Sequence, residues 1–312
     1  MTADLPSLSL LVDAADAGLA ATVRDAVDVQ ARRGALTEEL AWWLEVAAQD
    51  LDYARSYHQH APVPGAGPED YLDRWLAVTD DLWVLAGPRF RARDMAVPFV
   101  GIAGASRVIA REDLPALRQL ARERFSQFTP LYLALWSGLP AGAWPGTRAD
   151  SRLLAGRLDV LRRGSTAPQL TVVPLSDMGV YEDYVGLYDQ HAQLRPEHRF
   201  QARPESREDF AELIAAGSAW SVEVDGAPAG IVAARPGVAG GCRGAVIHEL
   251  ILAPSCCGRG YGRHLSGLLA QQLPMPDEQF LFGTIHVENH SARRAALAAG
   301  RQDIGGEVIV DL

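Results

Sequence analysis

The chain contains no lysine; all 29 of its basic residues are arginines. No side-chain amine is therefore available to form a Schiff base or to accept an acyl group from the protein itself. Cysteine is nearly as scarce. Cys242, Cys256 and Cys257 are too few for a disulfide framework, and their spacing matches no zinc site, so no metal is expected and a reducing cytoplasm is the expected compartment. Long apolar runs are missing as well: no stretch reaches the ~18 residues of a membrane span. The opening Met1-Thr2-Ala3-Asp4-Leu5-Pro6 has no basic residue ahead of its apolar stretch, which argues against a secretory leader. Positive charge is in deficit, with 29 arginines against 39 acidic residues and a net charge of −10. General nucleic-acid binding, which needs a basic footprint, is thereby disfavoured. A cationic or amine-bearing partner is compatible with this balance.

What is present is ample apolar material, 48% of 312 residues, enough for two domains. Gly164-Ser-Thr-Ala-Pro168 reads as a linker between domains at 1–165 and 169–312. The first part reads as helices at 14–33, 37–55 (Thr37 as N-cap), 70–79, 112–125 and 150–162, with strands at 82–86, 98–103 and 131–136. The second part reads as a strand at 170–175, helices at 181–191 and 207–216, and strands at 220–225, 229–234 and 245–253. A helix at 260–273, a strand at 280–287, a helix at 291–299 and a strand at 307–312 follow.

The chemically informative stretch is Leu252-Ala-Pro-Ser-Cys-Cys-Gly-Arg-Gly-Tyr-Gly-Arg-His-Leu265. A strand ends in a glycine-rich turn that opens a helix. Such a turn aims successive backbone N–H groups, at the positive end of the helix dipole, toward an anion such as a pyrophosphate. Gly258, Gly260 and Gly262 would let the backbone approach it. A dinucleotide fold would need G-x-G-x-x-G, and a P-loop would need a lysine; neither pattern is met.

The order of elements, with Leu-x-Pro followed by Cys257-Gly258-Arg259-Gly260-Tyr261-Gly262, resembles the acyl-CoA motif R/Q-x-x-G-x-G/A of the GNAT acetyltransferase superfamily. Cys257 stands where Arg or Gln is usual, and Arg259 and Arg263 could supply charge. Asn289-His-Ser-Ala-Arg-Arg-Ala-Ala-Leu-Ala-Ala-Gly300 resembles the family's pattern of Asn, three residues, helix, Gly, with Asn289 at a gap where the strands 245–253 and 280–287 would splay. Ala296 stands where many members carry a tyrosine acid, and Arg301 where an aromatic is usual. The resemblance implies a mixed α/β (α+β) fold: a twisted, mostly antiparallel sheet flanked by helices. It also implies acetyl-CoA or another acyl-CoA as cofactor and a small-molecule or peptide amine as acceptor, with no membrane and no nucleic acid involved. Ser106–Trp136 repeats the loop–helix–strand order of Cys257–Val287, and 150–156 loosely matches 289–300. A degenerate GNAT-like N-terminal domain, without a phosphate loop, is one reading of this echo.

By the same resemblance, backbone N–H groups near Ile251 and Leu252 would polarise the thioester. Glu249 or His248 would take a proton from the acceptor ammonium. Strict alternation puts these two on opposite faces of their strand, so one of them at most would meet the acceptor. Each has a plainer reading, as a carboxylate or imidazole satisfied within the fold. Cys256 and Cys257 could be activated at a helix N-terminus, although a small apolar role suits them better. Tyr181, Tyr184 and Tyr188 read as a packing face, and His286 and His290 as structural or surface groups. A non-catalytic acyl-CoA-binding or regulatory protein is the alternative to an N-acetyltransferase.

Overall fold

The computed structural model describes residues 4–164 and 167–312, so the expected linker at 164–168 and the N-terminal hexapeptide lie partly outside the described residues. In chain order the elements are α1 (Leu8–Gly18), α2 (Ala21–Ala26), α3 (Val29–Trp42), α4 (Leu51–His60), β1 (Arg74–Ala77), β2 (Trp83–Phe90), β3 (Pro98–Ala105), α5 (Leu114–Arg124), β4 (Tyr132–Ser137), β5 (Arg148–Arg157) and α6 (Leu158–Arg162). They continue as β6 (Leu170–Pro174), α7 (Tyr181–Leu194), α8 (His198–Gln201), α9 (Arg207–Ala215), β7 (Ala219–Val224), β8 (Ala227–Ala239), β9 (Cys242–Leu252), α10 (Gly262–Gln272), β10 (Phe280–His286), α11 (His290–Ala298) and β11 (Gln302–Asp311). The fold is thus mixed α/β, with mostly antiparallel strands flanked by helices.

Two compact units form, Met1–Asp150 with Gly305–Leu312, and Ser151–Ile304. This division differs from one at the 164–168 stretch, because each unit takes a strand from the far side of it. In the first unit the strands run β1-β2-β3-β4, with the end of β11 beside β4. All neighbours are antiparallel except β3 and β4. In the second unit the order is β5-β10-β9-β8-β7-β6, and only β9 and β10 are parallel.

Local chemistry accounts for several of the helix starts. Asp28 and Asp50 cap α3 and α4, each carboxylate accepting from two backbone N–H groups. Thr37 is not a cap: it lies inside α3 and its hydroxyl donates to Arg33 O at 2.8 Å. The helix expected at 70–79 is a short turn followed by β1, and the one expected at 150–162 is mostly β5.

In the second unit β8 divides two cores by alternation. Val232 and Ala234 pack with Trp220, Leu265, Leu269 and Leu281, while Ile231 and Ala233 pack with Tyr184, Phe210 and Leu213. The second face carries the candidate site.

The echo between the halves is structural. In each unit a strand, a helix and a parallel strand follow one another: β3-α5-β4 and β9-α10-β10. Both leading strands carry an extra residue, Ala103 opposite Leu85/Ala86 and His248 opposite Ala233/Ala234. Segment 150–156 has no counterpart role to helix 289–300, being strand.

Candidate active site

β9 ends at Leu252 and the chain crosses a short 3-10 turn, Pro254–Cys256, before α10. Gly258 and Gly260 have φ of +77° and +84°, a left-handed backbone that an L side chain rarely adopts. Gly262, where α10 begins, has a different reason to be glycine: a Cβ there would stand 3.3 Å from the Ala295 Cβ of α11. Residues 258–260 are exposed, and among the described residues no carbonyl or side chain accepts from the N–H groups of residues 258–263. Arg259 and the exposed Arg263 add positive charge, Arg263 Nε donating to His264 Nε2 at 3.1 Å. N–H groups without an acceptor at a helix start, with two arginines in the same stretch, are chemically suited to an anion.

Beside the loop the parallel strands part. β9 and β10 pair only from Gly244/Phe280 to Val246/Phe282, and then β9 runs on to Leu252 and β10 to His286. The edge of β9 beyond Val246 is therefore free on that side. Ala253 N–H donates to Ala229 O on β8, and a Cβ on Gly230 would meet Ile251 O at 2.1 Å. Ile251 thus turns its backbone groups to β8. By alternation Leu250 and Leu252 turn theirs into the gap. Leu252, not Ile251, is the strand-end residue whose N–H is aimed there. Its carbonyl is already held, accepting from His191 Nε2 at 2.7 Å.

The extra residue in β9 undoes the alternation expected of its polar pair. His248 and Glu249 lie on the same face. Glu249 is 1% exposed, with its carboxylate between two phenols: Tyr184 Oη donates to Oε1, and Tyr188 Oη to Oε2 at 2.6 Å. Tyr184 Oη accepts from Glu205 N–H at 2.6 Å. His248 Nδ1 lies 2.8 Å from Glu205 Oε1. Burial pushes the Glu249 carboxyl up to about 7; the two phenol hydrogen bonds oppose this, and the charge of Glu205 adds to it. Burial and then the charge of Glu249 push both phenols well above the usual tyrosine range, so they remain donors.

The tyrosine spacing that reads as a packing face is that and more. Tyr184 stacks on Phe210 at 4.5 Å while its hydroxyl serves the carboxylate. Glu205 and His191 escaped sequence reasoning, since neither stands in a motif.

The other candidate residues take quieter positions. Asn289 caps α11, its Oδ1 accepting from Ala292 N–H at 3.2 Å. His286 Nδ1 accepts from Glu288 N–H, and His290 is exposed. Burial, with Cys256 adding and Arg195 opposing, pushes the Cys257 thiol up rather than down, which is the reverse of an activated nucleophile. Ala296 is buried. Arg301 is buried across β5 and β10, donating to Leu154 O and Gly283 O, and burial pushes it down to about 10. Among the described residues no cluster of His, Cys, Asp or Glu could hold a metal ion, and no helix is long and apolar enough to cross a membrane.

The glycine-rich turn opening α10, the parting strands β9 and β10 and the buried Glu249 all belong to the second unit. Residues 182–300 match the acetyltransferase (GNAT) family, and the chain carries a GNAT domain there, in its C-terminal half. No curated protein matches the sequence. Among solved structures it is similar to a GCN5-related N-acetyltransferase from Kribbella flavida, at 13% identity, 85% of this chain, 95% of that one and a TM-score of 0.44. It is similar also to a GCN5-related N-acetyltransferase from Sphaerobacter thermophilus, at 14% identity, 86% and 91% coverage and a TM-score of 0.44. A third is a tandem GNAT protein from the clavulanic acid biosynthesis pathway, at 13% identity, 92% and 96% coverage and a TM-score of 0.44.

Proposed function

We propose that this protein is an acyl-CoA-dependent N-acyltransferase that moves an acetyl group from acetyl-CoA to an amine. The observation that carries this reading is the glycine loop, with two left-handed glycines and unbonded N–H groups opening α10 beside the splayed strands. The loop, Arg259 and Arg263 would hold the pyrophosphate, and the gap between β9 and β10 would take the pantetheine arm. The thioester supplies an activated acyl carbon. Leu252 N–H, turned toward the gap, would donate to its carbonyl oxygen. A base on β9, His248 or Glu249, takes one proton from the acceptor ammonium. The freed amine forms the carbon–nitrogen bond as the carbon–sulfur bond breaks, and its second proton ends on the departing sulfur. An ordinary thiol has a pKa of ~8.5, so it can leave as thiolate without a strong acid at position 296.

Gly260→Asp is expected to abolish acyl-CoA binding, because it adds strain at φ +84° and a negative charge where the pyrophosphate would lie. Calorimetry with the folded variant is the test, and unchanged affinity would refute the cofactor assignment. A second reading, a non-catalytic acyl-CoA binder, is favoured by the buried Ala296, which leaves α11 without a phenol at that position. Release of free CoA with a panel of amines, measured beside binding, separates the two. Binding without release on any amine supports the second.

A further inference from the structure

Glu205 lies in the loop between α8 and α9, yet it is fixed at three points. Its N–H donates to Tyr184 Oη at 2.6 Å, its carbonyl accepts from Tyr181 Oη at 3.2 Å, and its carboxylate meets His248 Nδ1 at 2.8 Å. Two tyrosines of α7 thus hold the backbone of a loop residue so that its side chain reaches β9. The extra residue in β9 turns His248 toward it.

Exposure separates the two candidate bases. The Glu249 residue is 1% exposed and each of its oxygens already accepts from a phenol, whereas the side chains of His248 and Glu205 are 29% and 27% exposed. An acceptor can touch the imidazole; it cannot touch Glu249 without displacing Tyr184 or Tyr188. A carboxylate accepts and does not donate, so Nδ1 of a neutral His248 must carry the proton. Nε2, which no described residue bonds, then carries the lone pair.

We infer that Glu205 is a positioning residue that fixes His248 in its Nδ1–H tautomer, so that His248 Nε2 is the base meeting the acceptor amine. This rests on the N-acyltransferase reading above and sharpens it. In the step, an ammonium N–H bond breaks, an Nε2–H bond forms, and the imidazolium stands against the Glu205 carboxylate. Glu205 meets the imidazole directly, and its backbone N–H in turn donates to Tyr184 Oη, the phenol that serves Glu249. The arrangement follows the general logic of a carboxylate orienting a histidine base.

Nitrogen-15 histidine spectra of the full chain test this directly, with the His248 signals assigned by their loss in His248→Gln. The wild type should show a protonated Nδ1 and a bare Nε2. Glu205→Leu should release the tautomer toward Nε2–H, while Glu205→Gln, whose amide oxygen can still accept, should retain it. With an amine that is turned over, His248→Gln should lower kcat by about 10²-fold or more, in the range general base catalysis contributes. Glu205→Leu should lower kcat by about 10-fold, with Glu205→Gln in between and the KM for acyl-CoA unchanged in all three. An Nε2–H tautomer in the wild type, or one indifferent to Glu205→Leu, overturns the inference. So does normal turnover by His248→Gln. If the wild type acylates no amine, the enzymatic reading fails, and the tautomer still decides whether Glu205 sets the imidazole.

Discussion

A carboxylate buried without a cation beside it marks the pH response of the molecule. Glu249 is held by phenols, not by an arginine, and its carboxyl is pushed up to about 7 from an ordinary glutamate value of ~4.3. The folded chain therefore binds this proton more tightly than the unfolded chain. The stability it contributes is fully present below the ordinary glutamate range and is lost as the pH rises through about 7. Glu249→Gln keeps the shape and has no proton to lose. The difference in stability between variant and wild type should thus move in favour of the variant between about pH 4 and about pH 8, most steeply between the unfolded and folded values, near pH 5 to 6. Glu307 in the first unit is also pushed up to about 7, by burial and by Asp150 against the opposing charge of Arg91. It is common to both proteins and cancels in the difference. Denaturant midpoints across that range make the comparison, and a pH-independent difference would contradict the assignment. Contrast Asp73 in the first unit, equally buried but bound through both oxygens to Arg89 Nη2 at 2.7 and 2.9 Å. Burial raises that carboxyl too, with Arg89 opposing it, and breaking the pair would leave an uncompensated buried charge.

At the scale of elements, the run β9–loop–α10–β10 was legible because its signals are local. Alternation marks the strands, and glycines stand where φ is positive. What stayed hidden depends on partners distant in sequence. Residues 150–162 are rich in Leu, Ala and Arg, good helix formers, but 151–157 find their hydrogen bonds on β10. The shared face of His248 and Glu249 depends on one extra residue in β9, which no composition signal announces. The same elements explain why the echo in the first unit should bind nothing. Where β9 has His248-Glu249, β3 has Ala103-Gly104, and a Cβ on Gly104 would lie 3.1 Å from Leu11 of α1. Past β4, a Cβ on Gly138 would lie 2.4 Å from Gly18 O, so α1 spans the ends of both parallel strands. At the start of α5 the anion position belongs to Asp113, which accepts from Ala110 N–H and pairs with Arg107 at 2.8 Å. Calorimetry with acyl-CoA should accordingly give a stoichiometry of about one per chain, abolished entirely by Gly260→Asp. A residual second site in that variant would show that the first unit is not closed.

At the scale of the whole molecule, the exchange of strands dictates how the chain can be cut. β5 precedes the 164–168 stretch but pairs with β10 along its whole length, from Arg157/Phe280 to Ser151/His286. Leu158 and Leu161 of α6 are buried in the same core as Leu265 and Leu281, and Arg162 donates to Leu273 O at 2.7 Å and to Met275 O at 3.0 Å. A fragment of residues 169–312 would lose all of this. It would leave one edge of β10 unpaired, an invitation to aggregate, and would open a cavity beneath α10. It would also keep residues 305–312, whose partner β4 is absent from it. A fragment of residues 151–304 retains every strand of the second unit. It should therefore be the more soluble of the two, unfold cooperatively and bind acyl-CoA, whereas 169–312 should aggregate or unfold at markedly lower denaturant. Expressing both, and comparing their unfolding midpoints and their affinity for CoA, decides the matter. Equal stability of the two fragments would mean that β5 and α6 contribute little to holding the β9–β10 gap in shape.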